Sequence, residues 1–245
     1  MSIDLNADVG EGCDDEALLP FLTSANVACG MHAGSPGVMD RTVALALARG
    51  IRVGAHPGYA DRENFGRIEI DLPLDEVENL VLYQVAALDG FVRSRGGRLA
   101  HVKAHGALYN RAARELDLAR AIARGVRRHR EDLVLVGLAG SKLLAAAEEI
   151  GLPAAGEAFA DRRYLPSGAL MPRKQPGSVL TDPAEAADQA AHIARDGFVT
   201  TSDGSRLQVA ARTLCLHGDT PGAPRIARAV RERLEREGVR IASLA

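Results

Sequence analysis

The sequence predicts an α/β fold with a mostly parallel sheet, rolled fully or nearly into a barrel. Three observations carry this expectation. Short apolar runs alternate with segments of helical periodicity along the 245 residues, the signature of βαβ units. Residues able to do chemistry stand at the ends of those runs, as they do where the carboxyl ends of parallel strands share one face. Gly50, Gly96, Gly151, Gly197 and Gly238 fall just past predicted helices, where a left-handed residue is often required. With 47% hydrophobic residues the chain can bury a sizeable core, and barrels of this length commonly form one domain, so residues 1–245 are read as a single unit.

The elements follow in order. The first strand, Ile3 to Asp8, puts Ile3, Leu5 and Ala7 on one side and Asp4, Asn6 and Asp8 on the other. A helix over Glu16 to Leu22 leads to a strand over Asn26 to Cys29. Ser35 followed by Pro36 is a cap with proline in the first turn, opening a helix to Arg49. A strand over Arg52 to Ala55, a helix over Leu74 to Arg95 and a strand over Leu99 to Lys103 come next. Helices over Glu115 to Arg130 and Ser141 to Ile150 flank a strand over Leu133 to Leu138, and a strand over Ala154 to Glu157 follows. Asp182-Pro183 repeats the cap arrangement and starts a helix to Arg195. Asp203-Gly204 within Phe198 to Val209 reads as a small hairpin. A strand over Leu214 to His217 and a helix over Pro224 to Glu237 complete the pattern, giving seven strands, one short of the usual barrel. Two long loops interrupt the alternation. Tyr59 to Pro73 holds Asp61, Arg62 and Arg67, and Arg162 to Thr181 holds Arg173 and Lys174; loops of that length in a compact domain are usually lids or binding segments.

Composition narrows the function. With 30 basic and 32 acidic residues the formal charge is −2, which provides no footprint for nucleic acid or an anionic membrane. The arginines from Arg124 to Arg130 fall at helical spacing and read as a solvated face. Three cysteines, Cys13, Cys29 and Cys215, are odd in number and lack paired spacing, so neither a disulfide framework nor a thiolate zinc site is suggested. No stretch is long and apolar enough for a membrane span, and the expected setting is cytoplasmic.

Several residues are candidates for chemistry. If the first strand lines a barrel, Asp4, Asn6 and Asp8 face its lumen and need partners there; the competing reading is an edge strand with its acids in water. His32 follows Cys29-Gly30, and His56 stands in Ala55-His56-Pro57-Gly58; each taken alone is also compatible with a hydrogen-bonded loop histidine. Lys103 and His105 lie two apart at a strand end, hence on the same side, with Tyr109 and Asn110 following. A lysine there is either desolvated for charge stabilisation or closes an ion pair with a strand-end carboxylate. Glu157, Asp161 and Arg162 form an acid, acid, cation group, and His217-Gly218-Asp219 closes the last strand. His129 and His192 lie on amphipathic helices and are read as structural, whereas His101 is left open. Asp and His at several strand ends can also build a mononuclear metal site, so a divalent metal is an open possibility. Gly137 to Lys142 lacks the spacing of a phosphate loop; it reads as an ordinary turn capped by Ser141, with anion binding at the helix start as the alternative.

Five motifs, Asp4-Leu5-Asn6-Ala7-Asp8-Val9-Gly10-Glu11, Ala25 to Gly34, Lys103 to Asn110, Glu157 to Arg162 and Cys215 to Asp219, occur in order over essentially the whole chain and resemble the LamB/YcsF family. Its members act as one subunit of bacterial ATP-dependent 5-oxoprolinase. The resemblance implies a distorted seven-stranded (β/α) TIM-like barrel of the glycoside hydrolase/deacetylase type. It also implies opening of 5-oxo-L-proline to L-glutamate at the expense of ATP, in a complex with two further 5-oxoprolinase subunits, B and C. It carries over Asp8, His32, His56, Lys103, His105, Glu157, Asp161, Arg162, His217 and Asp219 as catalytic candidates, with individual roles unassigned. The chain departs from the family in having Ser35 where Asp is more common and Ala104 where Pro is more common. Two rival functions are a stand-alone metal-dependent amidase or deacetylase, and a non-catalytic lactam-binding subunit.

Overall fold

The protein, described over residues 2–244 by a computed structural model, is a closed parallel barrel wrapped by helices. In chain order its elements are β1 (Ser2–Val9), α1 (Asp15–Leu18), β2 (Ser24–Ala28), α2 (Pro36–Ala48), β3 (Arg52–His56) and α3 (Leu74–Ser94). Then come β4 (His101–Lys103), α4 (Gly106–Ala112), α5 (Leu116–His129), β5 (Val134–Leu138), α6 (Lys142–Glu149) and β6 (Ala154–Phe159). The last third adds α7 (Pro183–Ala191), β7 (Phe198–Thr200), β8 (Arg206–Gln208), β9 (Thr213–Leu216), α8 (Ala223–Arg236) and β10 (Arg240–Ile241). Strands β1 to β6 pair in sequence, β6 pairs with β9, and β9 returns to β1, so seven strands close the ring. The short β10 lies parallel to β1 outside it, and β7 and β8 form the expected antiparallel hairpin. Among the described residues no helix is long and apolar enough to cross a membrane.

Closure follows from the alternation on β1. Asp4 sits opposite Thr213 of β9, and Asn6 opposite Ser24 of β2 and Cys215 of β9, while Ile3, Leu5, Ala7 and Val9 are buried in the apolar core. The edge-strand reading of β1 therefore fails, because β1 is paired on both sides. Long amphipathic α3 and α5 pack on each other outside the barrel, and α7 packs on α8.

Three departures from the sequence expectation have local causes. The helix expected over Glu16 to Leu22 stops at Leu18 and tightens into a 3-10 turn over Leu19–Phe21, since Pro20 has no N–H to continue the ladder. Helix α4 has no counterpart in the sequence pattern; seven residues are too few for an apolar period to show. Helix α7 ends at Ala191 and passes through a π turn, His192–Asp196, which Gly197 terminates at φ 71°.

Gly54 on β3 is required by its neighbour. A Cβ there would lie 2.1 Å from Nε2 of His101, whose ring fills the space across the pairing of Gly54 with His101. Gly54→Ala should cost about 3 kcal/mol or more, at the upper end of overpacking losses. Gly54→Ala combined with His101→Ala should recover much of that loss in urea unfolding; equal destabilisation of single and double variants would show that the ring is not what Gly54 accommodates.

Candidate active site

The lumen is filled by polar side chains. At one level the Asp4 carboxylate accepts from Thr23 Oγ1 (2.7 Å), Ser24 Oγ (2.7 Å) and Thr213 Oγ1 (2.5 Å). Burial pushes its carboxyl above the ordinary value, and those three hydroxyls hold the rise back. Asn6 donates to Glu157 Oε1 (3.0 Å) and Thr213 Oγ1 (2.6 Å), and its carbonyl accepts from Asn26 at 2.8 Å. Asn26 in turn donates to Asp8 (2.8 Å) and accepts from His101 Nε2 (2.7 Å). Burial pulls His101 down to about 3, so it stays neutral and structural.

Lys103 is the cation of this network. Its Nζ lies 3.0 Å from Asp8 Oδ1, 3.0 Å from Glu157 Oε1 and 3.1 Å from Cys215 Sγ, with only 2% of the residue exposed. Burial alone would lower the ammonium, but Asp8, Cys215 and Glu157 outweigh it and hold the group well above its usual value. Glu157 also accepts from the Tyr109 hydroxyl at 2.8 Å, so the lone pairs of a fully buried carboxylate are matched.

Asp8 stands between two histidine groups. Its Oδ2 is 3.3 Å from His56 Nε2, and its side chain retains some exposure. Burial opposes its charge, yet His56 and Lys103 keep it well below the usual carboxylate range. On one side His56, His105 and His32 surround Glu11: the His105 ring stacks on that of His32 with centroids 3.7 Å apart, and His56 meets both edge-on. Burial lowers His32 to about 4, whereas Asp8 and Glu11 raise His56 against its burial. On the other side His217 donates through Nδ1 to Asp161 (2.8 Å), which also accepts the His217 backbone N–H (2.9 Å). Its ring stacks on Phe159, and Asp161 thereby fixes the tautomer and leaves Nε2 free to exchange a proton.

Two long loops meet at the rim. Arg67 from residues 59–73 and Arg173 from residues 162–181 both reach Asp219, at 2.5 Å and 3.0 Å. Burial raises the Asp219 carboxyl, but Arg173 and Arg67 bring it below its ordinary value. This latch joins three chain segments over the polar end of the barrel.

The structure thus brings Asp8, His32, His56, Lys103, His105, Glu157, Asp161 and His217 to one end of the barrel, with Asp219 at its edge. Arg162 is held differently. Its Nε and Nη2 are spent on the carbonyls of Ser178 (3.3 Å) and Met171 (2.6 Å), so it anchors the 162–181 loop. His129 pairs with Asp89, and His192 stacks on Phe198, both away from the group, as expected of structural histidines. In the turn after β5 the N–H groups of Ala139, Ser141 and Lys142 are donated to the Glu157, Leu138 and Ala113 carbonyls. Ser141 does not cap α6 with its hydroxyl, which finds no partner among the described residues. Glu11, Asn6, Asn26 and Cys215 belong to the site although the family resemblance does not carry them over as catalytic candidates. For Glu11 the sequence holds a signal, an acid flanked by Gly10 and Gly12 immediately after the first strand.

Among the described residues, two sets of side chains have donor atoms close enough to share a cation: Glu11, His32, His56 and His105, and separately Asp8, Cys215 and His217. The second set already has Lys103 within 3.1 Å of both Asp8 and Cys215, and burial keeps the Cys215 thiol well above its usual value. Only the first set is without an internal cation.

A family model described as the LamB/YcsF family matches residues 3–245. The chain is 51% identical over 249 residues to the 5-oxoprolinase A subunit of Methylococcus capsulatus, covering 99% of this chain and 96% of that one. The chain belongs to the LamB/YcsF family. A lactam utilization protein from Thermus thermophilus superposes on this LamB/YcsF chain with a TM-score of 0.94 at 47% identity, covering all of both chains. The peptidoglycan deacetylase PdaC of Bacillus subtilis, in a mutant form, is 13% identical with a TM-score of 0.51, over 99% of this chain and 87% of that one, and shares the barrel fold alone.

Proposed function

We infer that the chain is the A subunit of an ATP-dependent 5-oxoprolinase, opening 5-oxo-L-proline to L-glutamate together with subunits B and C. The observation that carries this reading is the full-length 51% identity to a protein named as the A subunit of 5-oxoprolinase. The convergence of the carried-over residues at one end of the barrel supports it.

A five-membered lactam is a stabilised amide with a poor nitrogen leaving group, so water alone opens it slowly. Transfer of the γ-phosphoryl group of ATP to the lactam oxygen would release ADP and make the ring carbon electrophilic. Addition of one water and cleavage of the C–N bond would then free the amine as an acyl phosphate forms. A second water would release phosphate and leave glutamate. Within this chain, the His217–Asp161 pair is suited to move the protons, taking one from water and giving one to the ring nitrogen. Lys103 supplies fixed positive charge at the lumen end, where developing negative charge on oxygen needs it. Asp8, held as a carboxylate, is suited to orient water. Since the sequence lacks the glycine spacing of a phosphate loop, the phosphoryl donor is assigned to the partner subunits, and the site becomes complete only in the complex.

Glutamate and phosphate release should therefore be undetectable for the isolated chain supplied with ATP and 5-oxo-L-proline. Adding subunits B and C should restore both, in equal amounts. In the complex His105→Ala should remove most turnover, and His129→Ala should leave it unchanged. Steady ATP-independent ring opening by the isolated chain would replace this reading with a stand-alone amidase. Undiminished turnover by complexes carrying His105→Ala or Asp161→Asn would make this chain a non-catalytic binding subunit.

A further inference from the structure

We propose that Glu11, His32, His56 and His105 bind one divalent transition-metal ion of the zinc type in a closed four-ligand site. The first support is spacing. Glu11 Oε1 lies 2.9 Å from His32 Nε2, 3.3 Å from His105 Nδ1 and 3.7 Å from His56 Nε2, and the last two nitrogens are 3.0 Å apart. Donors about 2.0–2.1 Å from a tetrahedral ion stand roughly 3.3 Å from one another. These four distances bracket that edge; His32 and His105 stack with nearly parallel rings 3.7 Å apart, so His32 turns out of the stack to bring its lone pair to the same ion as His105.

The second support is the direction of the lone pairs. His56 donates its Nδ1–H to the Lys103 carbonyl at 2.7 Å, and His105 donates its Nε2–H to the Phe65 carbonyl at 2.8 Å. Each ring is thereby fixed in one tautomer, with its remaining lone pair aimed at the other ring across 3.0 Å. Two facing lone pairs beside a carboxylate need a positive species between them, either a proton or a metal ion. The Phe65 carbonyl is presented from a left-handed backbone, φ 57°, an uncommon conformation for a bulky residue that the local packing maintains. A backbone strained to lock one imidazole is better matched to a coordination site than to a shared proton.

Ligand chemistry selects the ion. Three imidazoles and one carboxylate suit zinc and its transition-metal neighbours; magnesium and calcium prefer oxygen. The four ligands come from the turn after β1, the loop after β2, the end of β3 and the loop after β4. A bound ion would tie these segments together and place positive charge beside Asp8. Metal content reads out such a site whatever reaction the barrel supports.

The test begins with chelator-treated full-length chain, titrated with Zn2+ and, as a visible probe, Co2+. One ion per chain is expected, with Co2+ giving the intense absorption of a four-coordinate site and Zn2+ raising the unfolding midpoint. His56→Ala, His105→Ala and Glu11→Gln should each weaken binding by about 100-fold or more, at least the upper range seen when a ligand's hydrogen-bond partner is lost. His32→Ala should weaken it less, since His32 Nδ1 has no orienting partner among the described residues. Circular dichroism of the metal-free variants monitors folding. Should an alanine variant fail to fold, the isosteric Glu11→Gln carries the test. Absence of stoichiometric Zn2+ and Co2+ binding, retention of Mg2+ alone, or binding unchanged in the folded Glu11 variant would each overturn the proposal.

Discussion

Lys103→Met should be the most damaging single substitution in the lumen. It leaves Asp8 and Glu157, each 3.0 Å from the present ammonium, as buried carboxylates without their shared cation. Losing one partner of a buried ion pair costs about 3–5 kcal/mol, because the other charge is left uncompensated. Lys103→Arg should rescue little, since a planar guanidinium cannot take the place of an ammonium that also contacts Cys215 Sγ at 3.1 Å. The double variant Lys103→Met with Glu157→Gln should recover part of the loss, a coupling that urea unfolding of the four proteins measures. A loss below about 1 kcal/mol in the single variant, the range of exposed pairs, would show that water compensates these carboxylates. In the reconstituted complex, turnover by Lys103→Met should fall to background.

Asp161→Asn is expected to have the second largest effect, and chiefly on rate. The carboxylate accepts two hydrogen bonds from His217, and an amide facing the ring can turn the imidazole to the wrong tautomer. Turnover in the complex should fall about 10²–10⁴-fold, the usual weight of a positioned acid–base group. Stability should change with pH in a definite sense. Burial opposes the charge on Asp161, but His217 brings its carboxyl below the ordinary 3.8. The stabilisation is therefore present above that value and is lost as pH falls through the lower folded-state value. The Asn variant should lie below the native protein at neutral pH and converge with it in acid. Parallel stability profiles for the two proteins would exclude Asp161 as a native-state carboxylate partner of His217.

The barrel is legible in the sequence because each strand ends in a different polar signature while its apolar face repeats, as β1 shows most plainly. The histidines at 32, 56, 105 and 217 can be placed at strand ends for the same reason. Their grouping cannot: whether His56 faces Asp8, His105 or a carbonyl depends on ring orientations fixed by Phe65 and Lys103 carbonyls distant in sequence. His101 is undecidable from sequence because its inward position rests on Gly54, a neighbour known only once the strands are in register. Arg162 reads as a site residue beside Asp161, yet adjacent side chains can diverge, and its guanidinium turns to the loop. Glu11 is visible as an acid between two glycines; nothing local shows that three imidazoles gather around it.

The closure of β1 against β9 bears on how the molecule is made. Asp4 relies on Thr213, and Asn6 on Glu157 and Thr213, partners some 150 to 210 residues further along the chain. During synthesis the first strand must wait for nearly the whole barrel before its polar face is satisfied. Contacts so distant in sequence form late, after the loop entropy of the intervening chain has been overcome. Until then β1 lacks its pairing with β9, which places the completion of the polar lumen at the end of folding.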